Sequence, residues 1–125
     1  MKKIKFIRCD EFDKDFKHLS KKYKSLEKDF EDVLKVFNQV WINFPHIERI
    51  NNLWNDITIP VYKMRRVWCE SLKKNSKLRI IFAYDEKSQE IKLIQFIEIY
   101  AKWESEVEDR ERIRKYLAGK EKIEE

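Results

Sequence analysis

Glycine is almost missing from this chain, with Gly119 alone among 125 residues. A phosphate loop or a dinucleotide fingerprint needs several glycines at fixed spacing, because only a backbone without Cβ comes that close to phosphate, so both nucleotide-binding devices are excluded. Proline is scarce too: Pro45 and Pro60 are the two present, and the connections are expected to be short and polar. Cysteine and histidine number two each. Cys9 and Cys69 fall on separate expected strands, His18 and His46 on an expected helix and loop, and none has further ligands at metal spacing. No metal and no cofactor are expected. In a reducing cytosol the cysteines stay thiols and read as small buried hydrophobes. No Ser-His-Asp signature is present. No apolar run approaches the roughly 20 residues of a membrane span, and the first nine residues carry four cations around an apolar stretch too short for a signal peptide. A cytoplasmic protein without a membrane segment is the expectation.

What the chain does have is charge and aromatic mass. Charged residues make up 41% and apolar residues 42%, with 14% aromatic, enough to bury the core of one domain over residues 1–125 under a salt-laced surface. The charge is uneven. Val61 to Tyr84 holds seven Lys or Arg and one acid, a balance of +6 in a chain whose total is +5. Lys63, Arg65 and Arg79 lie within stretches that otherwise read as buried strand, so these cations sit on a sheet, where clustered positive charge usually meets phosphate.

Periodicity orders the rest. Ile4 to Arg8 alternates as a short strand, and Asp10 is placed to cap a helix with the apolar face Phe12, Phe16 and Leu19, ending near Tyr23. From Ser25, Leu26, Phe30, Val33, Leu34, Phe37, Val40 and Trp41 recur at three- and four-residue steps, which predicts a second helix and hence a helical hairpin. Asp10 to Lys35 balances to −1, the charge of a scaffold rather than of a phosphate-binding surface. Residues 43–60 read as irregular, with one helical turn around Ile47, Ile50 and Leu53. Val61 to Glu70, Leu78 to Tyr84 and Ile91 to Tyr100 read as an antiparallel meander with turns at Lys73 to Lys77 and Asp85 to Glu90. Ser105 is placed to cap a last helix with Glu106, Glu108 and Asp109 in its first turn and Ile113, Tyr116 and Leu117 as its stripe, frayed from Ala118. The order βααβββα is an α+β fold, a small antiparallel sheet with a helical hairpin on one face and a C-terminal helix.

Strand alternation puts Lys63, Arg65 and Val67 on one face and Tyr62, Met64, Arg66 and Trp68 on the other. Arg79 shares its side with Ile81 and Ala83, and Glu98, Tyr100 and Lys102 line up on the last strand. Antiparallel neighbours thus gather Lys63, Arg65, Arg79, Glu98, Tyr100 and Lys102 into one groove away from the hairpin. Clustered cations repel unless an anion compensates them, and a phosphodiester fits that role. The plainer alternative is a solvated face where Glu98 pairs with Arg65 or Arg79. Arg66 reads as a rim residue. Trp41 and Trp54 read as core edge, and Arg110, Arg112, Arg114 and Lys115, interleaved with acids, as a solvated helix face.

From Ile59 to Leu117 the chain resembles the C-terminal two-thirds of the RelE/ParE superfamily of toxins, RelE-like and HigB-like mRNA interferases above all. Tyr62-Lys63-Met64-Arg65 matches a Tyr-Lys-x-Arg second strand, Arg79 with Ile80 to Tyr84 matches an Arg followed by apolar residues and Tyr, and Ile99-Tyr100-Ala101-Lys102 matches an Ile-Tyr-x-Lys strand end. The resemblance implies the toxin of a type II toxin–antitoxin pair, a metal-independent, ribosome-dependent endoribonuclease. In such an enzyme the ribose 2′-hydroxyl attacks the adjacent phosphate and leaves a cyclic phosphate. By position it implies Lys63, Arg65, Arg79 and Lys102 as catalytic or phosphate-binding cations. Lys63 and Glu98 are competing candidates for the base, and Tyr100 supplies a hydroxyl or packing. The implied partners are mRNA, the ribosome and a protein antitoxin, oligomers forming only through the antitoxin. Two positions depart from the pattern: Glu108 and Asp109 stand near the place of a C-terminal catalytic Tyr or His, and Lys77-Leu78 replaces the Gly before the third-strand Arg. Alternatives on the same fold are a ParE-like gyrase-binding toxin and an inactive binding protein.

Overall fold

The computed structural model describes residues 3–40, 47–50, 59–67, 78–86, 91–101 and 107–123 and realises the expected α+β fold. Strand β1 (Lys3–Arg8) leads into helices α1 (Asp10–Lys22) and α2 (Leu26–Val40); a short strand β2 (Ile47–Arg49), the meander β3 (Val61–Val67), β4 (Leu78–Glu86) and β5 (Ile91–Ala101), and helix α3 (Arg110–Ile123) follow. The sheet order is β1-β5-β4-β3-β2. β1 lies parallel to β5 and the other pairs are antiparallel, so the sheet is mixed rather than purely antiparallel.

The hairpin forms where its stripes said it would. Phe12, Phe16 and Leu19 of α1 and Leu26, Phe30, Val33 and Phe37 of α2 are buried against Met64, Ile80, Phe82, Ile94 and Phe96 of the sheet. Phe82 and Phe96 are fully buried, each worth about 2–3 kcal/mol of transfer free energy. Asp10, Glu11 and Asp13 in the first turn of α1 and Lys21 and Lys22 in its last complement the helix dipole. The N-cap is Cys9 rather than Asp10: its sulfur accepts the Phe12 N–H at 3.4 Å, and its thiol donates to the Ile97 carbonyl at 3.3 Å. The other sheet face carries a smaller core, where Ile113 and Leu117 of α3 pack on Ile50, Val61, Ile81, Ala83, Ile97 and Tyr100.

Several boundaries differ from the sequence reading, each for a local reason. Ile47–Arg49 is a strand, not a helical turn, because it pairs with Tyr62 to Met64 at the edge of the sheet. Helix α3 starts at Arg110, and Asp109 is its cap, accepting the Arg112 N–H at 3.1 Å; Glu108 and Asp109 therefore precede the helix instead of filling its first turn. At the other end α3 continues to Ile123 instead of fraying from Ala118. Lys102, Trp41, His46, Trp54, Trp68, Cys69, Ser105 and Glu106 lie outside the described residues, as do the turn at Lys73 to Lys77 and residues 87–90 of the second turn. No helix among the described residues is long and apolar enough to cross a membrane.

Candidate functional site

Register gathers the cations. Lys63 of β3 stands opposite Ile81 of β4, Ile81 stands opposite Glu98 of β5, and Arg79 stands opposite Tyr100. Cross-strand partners share a face, and Ile81 and Tyr100 belong to the core under α3, so Lys63, Arg79, Glu98 and Tyr100 all lie on the face away from the hairpin. Arg65 joins them. Its guanidinium is 2.8 Å from Glu48 Oε1, and Glu48 is the β2 register partner of Lys63. Four of the expected site residues and the possible base thus meet on one face; the remaining one, Lys102, lies beyond the described residues.

The strands are not regular, and this shifts two positions. Between Met64 and Val67 the register slips, so three steps on β3 face two on β4. Such a bulge turns the next side chain over, and Val67, expected beside Lys63 and Arg65, is buried with Met64 and Leu78 against the hairpin. A second bulge sets Ile81 opposite Glu98 but Phe82 opposite Phe96, which turns both Ile97 and Glu98 toward the α3 side. Without it, Glu98 and Tyr100 would point into the aromatic core.

The site contains its own carboxylates. Lys63 Nζ contacts Glu108 Oε1 at 2.7 Å, with side chains 15% and 6% exposed, and Glu108 Oε2 reaches Arg110 Nε at 3.2 Å. Burial alone would raise the Glu108 carboxyl, but the Lys63 hydrogen bond, a backbone hydrogen bond and the charges of Lys63 and Arg110 outweigh it and hold it below its ordinary value. The Lys63 side chain is thus engaged by a carboxylate of the site itself. Glu98, the competing base candidate, accepts the Asp109 N–H at 2.8 Å. Burial pushes its pKa up to about 7, against the pull of that hydrogen bond and of Arg112. Tyr100 is pushed up to about 12, by burial first and then by Glu108 and Glu98, while Arg79 and Arg65 oppose; at neutral pH its hydroxyl keeps its proton. Arg79 is half-buried and its guanidinium donates to the Leu78 carbonyl at 3.4 Å.

Two residues that matter here were misread or passed over in the sequence. Arg112, read as part of a solvated face, is a clamp: it contacts Asp15 Oδ2 at 2.5 Å and Glu11 Oε2 at 2.8 Å on α1 and donates to the Ile97 carbonyl at the β5 bulge at 3.2 Å. Glu108 looked like a helix-dipole residue. No sequence signal separates a first-turn acid from one that turns back to a strand lysine. Beside the clamp, a cleft of about 460 Å³ is lined by Ile7, Cys9, Asp10, Glu11, Arg112, Lys115 and Tyr116. The Cys9 thiol there is raised by burial, which suits a cap and not a nucleophile.

The arrangement offers a phosphoryl group several fixed donors, a protonated phenol and a carboxyl that exchanges its proton near neutrality. Among the described residues no three His, Cys, Asp or Glu stand close enough to hold a metal ion. Comparison of the chain with known protein families, with curated proteins and with solved structures found no match.

Proposed function

We propose that this chain is a RelE-like toxin of a type II toxin–antitoxin pair, an endoribonuclease that acts in the cytoplasm on mRNA held at the ribosome and is silenced by a protein antitoxin. The observation that carries this reading is the convergence of Lys63, Arg65, Arg79 and Tyr100 on one sheet face opposite the helical hairpin. In the reaction the 2′-hydroxyl oxygen gives up its proton and bonds to the adjacent phosphorus, the bond to the leaving 5′-oxygen breaks, that oxygen takes a proton from solvent, and the products are a 2′,3′-cyclic phosphate and a 5′-hydroxyl. Negative charge grows on the phosphoryl oxygens, where Arg65 and Arg79 provide preorganised guanidinium groups and Lys63 an ammonium. Glu98, poised near neutral pH, is the candidate group to accept the 2′-hydroxyl proton, and Tyr100 a hydrogen-bond donor. Lys102 joins the cations by the sequence resemblance alone.

A second reading on the same fold is a gyrase-directed toxin or an inactive binding protein. The ion pairs that hold Lys63 on Glu108 and Arg65 on Glu48 favour it, because they give two of the site cations an architectural role. The readings part on Arg79→Ala. A nuclease loses about 3 kcal/mol of transition-state stabilisation, a fall of about 10²-fold or more in cleavage of ribosome-bound mRNA, with the fold retained by circular dichroism. Undiminished cleavage by the folded variant removes Arg79 from the site; absence of cleavage by the wild-type protein transfers the weight to the second reading.

A further inference from the structure

The residues just before α3 bring a carboxylate into the middle of the cationic face. Glu108 contacts Lys63 at 2.7 Å with one oxygen and Arg110 at 3.2 Å with the other. Lys63 and Tyr100 share one sheet face, so a carboxylate in contact with Lys63 stands on the face where the site converges. Its place is built rather than incidental. The next backbone N–H, that of Asp109, is held by Glu98 Oε1; the Asp109 side chain caps α3; and α3 is fastened to α1 through Arg112 and Asp15. Three elements fix where Glu108 begins, and Lys63 fixes where it ends.

To an ammonium, a carboxylate and a phosphodiester offer the same thing: an anionic oxygen that accepts a short charge-assisted hydrogen bond. With its side chain 15% exposed, Lys63 has little room to serve both. The geometry points to Glu108 as an internal competitor for the RNA phosphate, an autoinhibitory contact that holds Lys63 out of the site until the carboxylate is displaced. This inference rests on the nucleic-acid reading of the face proposed above. It adds a regulatory threshold: the half-exposed Arg65 guanidinium, whose pair with the equally exposed Glu48 is weakened by solvent, meets a polyanion first, whereas Lys63 is engaged only after Glu108 gives way. An architectural ion pair makes the opposite demand, because there Glu108 supports the same face that the RNA approaches.

The test is binding of a short fluorescein-labelled single-stranded oligouridylate, followed by anisotropy over a series of salt concentrations, with the folded state of each protein checked by thermal melting. Glu108→Gln is expected to tighten binding about tenfold, the worth of one recovered charge-assisted contact. It should also steepen the dependence of log K on log salt by about 0.7, the increment for one more neutralised phosphate on a single strand. The double variant Lys63→Gln/Glu108→Gln should lose both gains. Glu108→Asp, which keeps the charge but draws it back by one methylene, should fall between wild type and Glu108→Gln, and it serves as the folded comparison if the amide variant melts too early. If wild type binds RNA and folded Glu108→Gln or Glu108→Asp binds no more tightly, Glu108 is not a competitor and the inference is overturned while the nucleic-acid reading stands. If neither wild type nor any folded variant binds RNA, that reading fails and takes the inference with it.

Discussion

Replacing Glu98 by Gln tests the electrostatics of the sheet face most directly. The Glu98 side chain is buried, and its pKa stands at about 7 against an ordinary 4.5, burial outweighing the Asp109 N–H and Arg112. A carboxyl whose folded pKa is raised holds its proton more tightly in the native state, so between about pH 4.5 and about pH 7 the native protein binds more protons than the unfolded chain. Its stability must therefore fall as pH rises through that window, and the protonated form is the one that favours folding. An interval of about 2.5 pH units amounts to about 3 kcal/mol. Glu98→Gln keeps a side-chain oxygen for the Asp109 N–H and removes the ionisation. Urea denaturation of both proteins from about pH 5 to about pH 8 should find them similar at the acid end and the variant more stable by about 3 kcal/mol at the alkaline end. Glu108, held low, contributes with the opposite sign: its stabilisation is present above its unfolded value and is lost as pH falls below about 4.5, outside the window. A variant no more stable than wild type at about pH 8, or two proteins losing stability in parallel across the window, would refute the assignment.

Phe96→Ala should cost about 3–5 kcal/mol, because Phe96 is fully buried and its ring lies 5.1 to 6.4 Å from those of Phe6, Phe12, Phe30, Phe37 and Phe82; a loss below about 1.5 kcal/mol in urea denaturation would show a core able to collapse around the gap. Arg112→Gln should cost about 2 kcal/mol, the contact with Glu11 counting for little because that side chain is 60% exposed. A double-mutant cycle with Asp15→Asn should return a coupling of at least about 1 kcal/mol, and additivity of the two substitutions would deny the clamp.

The parts of the fold legible in the sequence are those governed by short-range periodicity. The apolar steps from Phe12 to Leu19 and from Leu26 to Phe37 identify α1 and α2, because a helix buries residues three and four apart whatever it packs against. Strand alternation identifies the face of Lys63, Arg79, Glu98 and Tyr100, but it carries no mark of a bulge, so Val67 changes sides unannounced. The parallel seat of β1 beside β5 and the pairing of Ile47–Arg49 with β3 depend on partners distant in the chain. The same holds for the site's carboxylates. Interleaved charge on α3 reads as solvated, and only the fold brings Asp15 to Arg112, 97 residues away, or Glu108 back to Lys63.

The parallel pairing of β1 with β5 also sets the order in which the molecule can be completed. Cys9 meets Ile97 across 88 residues, and the strand ending just before Cys9 finds its hydrogen-bonded neighbour only when β5 has been synthesised. At the few residues per second of translation, α1 and α2 have seconds in which to form by local contacts while Ile4 and Phe6 wait without a sheet to enter. Lys5 and Arg8 on that strand make it a poor template for pairing with a neighbouring nascent chain during the wait. Closure of the sheet is thus a late, long-range step, and the cationic face, built on β3, β4 and β5, comes into being only with it. A growing chain carries no assembled face until β5 has left the ribosome.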